Sequence, residues 1–296
     1  MPRTTKKKKK RKNSSAKKRE STSEPIEKDI ILLLKMGLSA WEEKDYQRAE
    51  KIFNQITTCD PGYSIAWLTR GVLLTHLGDF IKALHCYDKA CALDPYNVDT
   101  WHNKGVVLQY LGDFIKALHC YDKACAIDPH HTQSLLGKGA LLGVLGKHTE
   151  SIACFDNVLE ISPDSGEAWY NKGVSLECLE NHEEALHCLD KALTIDPGNA
   201  NAWHNKGAIL GELGNYEESI TCFDKALVID PDDAEKWYSK GVTLIYLGKY
   251  KEALHCFDKA LVIVPDDTDT WHNKGVALER MGNYKEAKKC FKKALK

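Results

Sequence analysis

The chain has 296 residues and nearly balanced charge, 41 Lys and Arg against 42 Asp and Glu. The balance is uneven: residues 1–20 hold 11 Lys and Arg and one acid, Glu20, which leaves 30 bases and 41 acids in residues 21–296. A basic arm on an acidic body is therefore expected, and no apolar run reaches the ~18 residues that a membrane helix needs.

The arm comes first. Lys6, Lys7, Lys8, Lys9, Lys10, Arg11 and Lys12 form an unbroken basic run followed by Ser- and Lys-rich sequence. Residues 1–28 cannot bury a core and are predicted to be a disordered tail. Four readings of the run stay open: nucleic-acid contact, anionic-membrane contact, a nuclear import signal, or a solubilising arm. The same run could also fold back on an acidic surface of the body. The early apolar stretch Ile30–Leu34 is shorter than the roughly 7–15 residues of a signal-peptide core. The chain is therefore read as soluble and unexported: cytoplasmic, or nuclear if the organism has a nucleus.

From residue 29 onward the sequence is periodic. The word WHNKG starts at Trp101, Trp203 and Trp271, at intervals of 102 and 68 residues, both multiples of 34. Repeats set in this phase start near Ile30, Ser64, Val98, Thr132, Gly166, Ala200, Ala234 and Thr268, the last cut short. Place four is Trp in six repeats and Leu33 and Leu135 in the others; place eight is always glycine, from Gly37 to Gly275. Seven of the nine prolines also fall in phase. Within a repeat, Trp101, Gly105 and Gln109–Leu111 mark a first helix, and Leu111-Gly112-Asp113 a turn. Phe114, Ala117, Leu118, Tyr121, Ala124 and Cys125 line a second helix that Asp128-Pro129 ends. Glycine inside a helix costs about 1 kcal/mol against alanine, so its recurrence implies that the two helices approach closely there.

This pattern, W-x3-G…L-G-x-[YF]…A-x3-[FY]-x2-A…P over 34 residues, resembles the tetratricopeptide repeat family. The resemblance covers about residues 30–296 and implies an all-α, right-handed superhelical solenoid of helix-turn-helix repeats with first helices lining an inner groove. Departures are local: Leu135, His148, Ser151 and Val158 in the fourth repeat, Glu180 and Leu189 in the fifth. They make the centre the expected weak point. The last second helix reads AKKCFKKALK, with Lys288 and Lys292 where earlier copies carry Leu and Asp. A solvated end with no following repeat suits them.

Several constellations mimic chemistry. Seven cysteines share one phase, from Cys86 to Cys290; equivalent places in stacked repeats lie on the order of 10 Å apart, beyond the ~7 Å a disulfide tolerates. They are read as small core fillers. The His-Cys pairs recur a whole repeat apart, and the histidines of HEEALH, His182 and His187, are five residues apart rather than four. No metal, cofactor or enzymatic activity is expected. Lys104, Lys172, Lys206 and Lys274 are expected to lay their stems over the core and expose their amines.

The side of the first helix away from its partner carries places two, five, six and nine. Place five reads His102, Tyr170, His204, Tyr238 and His272; place six reads Asn103, Asn171, Asn205, Ser239 and Asn273; place two is often acidic, as Asp99, Glu167, Glu235 and Asp269. In long arrays of the family resembled, an inner row of asparagines grips the backbone of an extended peptide, because an amide both donates and accepts. The chaperone-binding carboxylate clamp of the family needs Lys at place five and Asn at place nine; here place five is never Lys and place nine is always Leu, Val or Ala. Chaperone C-termini are therefore not expected, and the acidic row suits a basic ligand. The expected function is a non-catalytic protein-interaction scaffold binding an extended partner segment. The alternative is a nucleic-acid-associated adaptor whose tail contacts RNA or DNA while the repeats recruit proteins.

Overall fold

A computed structural model describes residues 29–295; the Lys6–Lys12 run and its readings lie outside them. The described residues form sixteen α-helices and no strand. They divide into two compact units, one ending at Gly137 and the other beginning at Lys138. The N-terminal unit holds the pairs α1 (29–42) with α2 (Tyr46–Cys59), α3 (Ser64–His76) with α4 (Phe80–Leu93), and α5 (Val98–Tyr110) with α6 (Phe114–Ile127). Helix α7 (Thr132–Val144) contains the boundary and pairs beyond it with α8 (His148–Ile161). The C-terminal unit continues with α9 (Gly166–Glu177) and α10 (His182–Ile195), α11 (Ala200–Glu212) and α12 (Tyr216–Ile229). It ends with α13 (Ala234–Tyr246) and α14 (Tyr250–Ile263), α15 (Thr268–Arg280) and α16 (Tyr284–Ala294).

Each in-phase residue has a partner at a fixed offset. The place-eight glycine faces the ring sixteen residues on: a Cβ would lie 2.8 Å from Tyr121 at Gly105, 3.0 Å from Phe223 at Gly207 and 2.6 Å from Phe257 at Gly241. The rings of Tyr87, Tyr121, Phe155, Phe223 and Phe257 are fully buried. The place-four indole donates its Nε1 proton to the carbonyl of the proline six residues earlier, Trp101 to Pro95 and Trp237 to Pro231 at 2.8 Å, Trp169 to Pro163 at 2.9 Å. Indole and proline are thus in phase because one caps the loop that the other closes.

Turns and caps complete the pattern. The turn between paired helices needs a positive φ, supplied by Gly112 at 79°, but Glu180 adopts 58° where the fifth repeat lacks that glycine. A non-glycine residue there stores about 1 kcal/mol of strain. Asn97, Ser165, Asn199, Asp233 and Asp267 cap the first helices by accepting backbone N–H bonds. At the same place before α7, His131 Nδ1 accepts from the Ser134 N–H at 3.3 Å.

The lysines one place before the place-eight glycine differ from expectation. Their side chains are only 18–21% exposed, and each amine is paired: Lys104 with Asp88 at 2.7 Å and Lys172 with Asp156 at 2.6 Å, while Lys206, Lys240 and Lys274 pair with Asp190, Asp224 and Asp258. Each Asp lies on the second helix of the preceding repeat, sixteen residues back. Each of these lysines also sits 5.0–5.9 Å over the indole of its own repeat. The in-phase cysteines Cys86, Cys120, Cys188 and Cys256 are buried, and burial pushes each thiol up to about 11, which keeps it protonated and unreactive.

Candidate binding face

Helical geometry puts places two, five, nine and twelve on one stripe of each first helix. In the N-terminal unit this stripe is largely apolar, with Ile31, Leu38 and Ile65 exposed. It becomes polar at α5. There Asn103 Nδ2 donates to the Asp99 carbonyl at 2.8 Å. His102 is drawn inward: its ring lies 5.9 Å from Tyr121 and 5.5 Å from His131, and its Nδ1 is 3.3 Å from Ser134 Oγ. Ser134 Oγ is 2.7 Å from His131 Nδ1, and His131 Nε2 is 3.5 Å from Asp99 Oδ1.

Burial, reinforced by His131 and opposed by Asp99, pushes the His102 imidazole down to about 4. The folded chain thus holds this group neutral where the unfolded chain, with an ordinary imidazole near 6.5, binds a proton. Its contribution to stability is fully present above pH 6.5 and is lost as the pH falls through 4. After discounting for partial exposure the loss is about 1–2 kcal/mol. Thermal melts between pH 7.5 and pH 4 are expected to fall less steeply for His102→Gln than for the native chain; parallel curves would refute the assignment.

The C-terminal unit carries the longer ladder. Tyr170, His204 and Tyr238 are half-buried and His272 is exposed. The place-five rings lie against the second helices: His204 is 5.5 Å from Phe223, Tyr238 6.3 Å from Phe257 and His272 5.4 Å from Phe291. The histidines are therefore part core and part surface. Burial lowers the His204 imidazole, and His204 Nδ1 is buried without a hydrogen-bond partner.

Hydrogen bonds cross between neighbouring repeats on this face. Asn205 Nδ2 donates to Tyr170 Oη at 3.4 Å, and Asn273 Nδ2 donates to Tyr238 Oη at 3.0 Å. Asn171 Nδ2 donates to the Glu167 carbonyl at 3.0 Å, and Asn273 makes the matching bond to Asp269 at 3.1 Å. Both Asn273 amide protons are thus engaged within the fold, while its Oδ1 remains an acceptor. Each phenol that accepts from an asparagine keeps its own proton to donate. Ser239 has no such Tyr partner; its carbonyl takes the Thr243 hydroxyl at 3.0 Å.

Sequence reasoning missed the Tyr-to-Asn pairing, although its signal was present: both pairs are 35 residues apart, place five to the next place six. It also missed Glu177, a half-buried carboxylate near the end of α9. Burial, then Glu212, raise its affinity for a proton, and only His182 opposes them. Among the described residues no helix is long and apolar enough to cross a membrane, and no three His, Cys, Asp or Glu side chains are gathered to hold a metal ion.

The tetratricopeptide repeat profile matches residues 64–97, 98–131, 166–199, 200–233, 234–267 and 268–296, and a second profile of the same repeat matches 32–58. The chain belongs to the tetratricopeptide repeat family. This fold serves generally as a protein-interaction scaffold. The fourth repeat, with Leu135, His148, Ser151 and Val158, lies outside both sets of matches. A tetratricopeptide repeat protein from Parabacteroides merdae ATCC 43184 superposes with a TM-score of 0.65 at 18% identity, over 91% of this chain and 100% of that chain. YrrB, described as a TPR protein with an unusual peptide-binding site, is 27% identical with a TM-score of 0.54, over 64% of this chain and 97% of its own. MamA gives 0.51 at 24% identity, over 53% of this chain and 92% of its own. The likenesses to the P. merdae protein and MamA are of fold alone. Comparison with curated proteins gave no match.

Proposed function

We propose that the chain is a non-catalytic scaffold whose array, from residue 29 onward, binds an extended segment of a partner protein across the first helices, with residues 1–28 as an appended arm. The observation that carries this reading is the cross-repeat ladder Tyr170–Asn205 and Tyr238–Asn273. It fixes amide oxygens and phenol protons at two points two repeats apart, and an extended backbone offers N–H and C=O groups to both. Asn171, Ser239 and the rings of His204 and His272 continue the same face within the C-terminal unit, and His102 and Asn103 hold the corresponding places on α5 of the N-terminal unit. The match to YrrB, whose description includes a peptide-binding site, supports the reading.

The test is a pull-down from native lysate, with nuclease and moderate salt, of the full chain against Asn171→Ala/Asn205→Ala/Asn273→Ala. Three lost amide contacts at about 1 kcal/mol each weaken binding roughly 100-fold. The variant is expected to melt close to the native temperature and to lose the captured proteins. Undiminished capture would remove the ladder from the function. Captured material that disappears with nuclease would instead favour the nucleic-acid adaptor.

A further inference from the structure

The first helices α9, α11, α13 and α15 of the C-terminal unit share one cross-section. The ladder residues hold places five and six, and Val174, Ala208, Val242 and Val276 form a half-buried apolar row at place nine. Both borders are acidic. Glu167, Glu235 and Asp269 stand exposed on the first turns of α9, α13 and α15. Glu177 and Glu279 take place twelve at the other ends of α9 and α15, and Glu212 ends α11. Places two, five, six, nine, twelve and thirteen of these four helices thus hold six acids and one base, Arg280 beside Glu279. Lys236, the lysine near the first border, is committed elsewhere: it is buried and bonded to Asp233 and Asp230. At the second border Glu177 meets Glu212 as a like charge, opposed by His182, whose Nε2 is 3.9 Å from Glu212. A cation arriving there offsets that repulsion.

Ten residues of helix at 1.5 Å per residue separate places two and twelve by about 15 Å, with the ladder between them. A segment that crosses the helices in extended form and turns its N–H and C=O groups to the ladder projects its side chains sideways, along the helix axes. Successive side chains then point to opposite borders. A lysine or arginine on one side lays its stem over the valine row and sets its charge at Glu177 or Glu212. The next residue points to Glu167 or Glu235. Basic residues at every second position therefore reach one border only, whereas adjacent basic residues reach both.

We propose that the acid-bordered ladder of the C-terminal unit selects an extended partner segment whose basic residues come in adjacent pairs, over segments of equal charge in which they alternate. This rests on the extended-segment reading above and adds a sequence rule for the partner. Neighbouring first helices about 10 Å apart are matched by roughly three strand residues at about 3.3 Å each. One basic pair followed by one other residue thus keeps step with the helices and gives each helix one cation toward either border.

The experiment measures fluorescence anisotropy of two labelled peptide isomers, each of six lysines and five serines, added to full-length chains. In one isomer the lysines form three adjacent pairs, each followed by a serine, with the two remaining serines last. In the other, lysine and serine alternate. The paired order with glutamate in place of lysine is the charge control. The hosts are the native chain, a first-border variant Glu167→Gln/Glu235→Gln/Asp269→Asn, a second-border variant Glu177→Gln/Glu212→Gln/Glu279→Gln, and the ladder variant Asn171→Ala/Asn205→Ala/Asn273→Ala. At about 50 mM salt the native chain is expected to bind the paired isomer at least tenfold tighter than the alternating one, and about 300 mM salt should narrow that gap. Either border variant should bring the paired isomer down to the level of the alternating one, whose own affinity changes little because one border still serves it. The ladder variant should weaken both isomers alike. Equal binding of the isomers to the native chain overturns the proposal, as does a paired isomer that tolerates loss of either border or a glutamate control that binds as tightly. If the isomers bind equally and the ladder variant weakens both, the extended-segment reading stands and the pairing rule fails. If the border variants weaken the paired isomer and the ladder variant does not, charge alone holds the segment, and the ladder reading fails together with the proposal. Melting curves of all four hosts, expected to agree closely, separate these results from unfolding. Should the half-buried Glu177→Gln lower its host's curve, Glu212→Gln/Glu279→Gln reports on the same border.

Discussion

Alanine at Gly241 is expected to lower stability by about 2–3 kcal/mol. On an open helix the change would gain about 1 kcal/mol. Here the added Cβ meets Phe257 at 2.6 Å from Cε1 and 2.9 Å from Cδ1 and Cζ. The ring is fully buried among Leu244, Ala253, Cys256 and Ala277, so it cannot recede without opening the packing of two repeats. Gly173 is the internal control. Its ring position is Leu189, and a Cβ there lies 3.2 Å from Leu189 Cγ and 3.4 Å from the Ala185 carbonyl. A branched aliphatic chain yields a few tenths of an ångström, so Gly173→Ala should stay within about 1 kcal/mol of native. Urea midpoints of the two variants check this, and Phe257→Leu added to Gly241→Ala should restore part of the loss. Equal midpoints for both variants would show that the ring contact does not set the glycine.

The second large effect is at Trp237. Its indole packs on the cluster around Leu244 and Phe257, meets His255 edge-on at 6.2 Å and donates to the Pro231 carbonyl. Trp237→Ala removes all three and is expected to cost about 3–4 kcal/mol. Trp237→Phe keeps most of the packing and loses the hydrogen bond. Because Pro231 is exposed, water can take over its carbonyl, and the cost drops to about 1 kcal/mol. A phenylalanine variant as damaged as the alanine variant would make the loop bond, rather than the packing, the main term.

Both predictions concern residues whose roles were legible in the sequence, and the reason is local. Gly241 and Phe257 are sixteen residues apart in one helical pair, and Trp237 and Pro231 are six apart around one loop. A repeated word exposes such offsets by itself. The lysine amines were misread because their aspartates belong to the previous repeat, where no rule internal to a repeat points. The place-five histidines were assigned wholly to the open face by helical phase. Phase does not show that a ring nineteen residues on, Phe223 for His204, covers one side of the imidazole. The rows of the candidate face could be named from sequence, yet which amide protons are already spent could not, because that depends on distances between neighbouring repeats.

The bonds that tie one repeat to the next span short stretches of chain: sixteen residues from Asp156 to Lys172, thirty-five from Tyr170 to Asn205. A nascent chain leaving the ribosome can therefore close each repeat against its predecessor after one further repeat has been synthesised. Folding of such low-contact-order structure is fast compared with elongation at ~5–20 residues per second. The growing end exposes at most one unfinished repeat at a time, and synthesis itself sets the order of assembly.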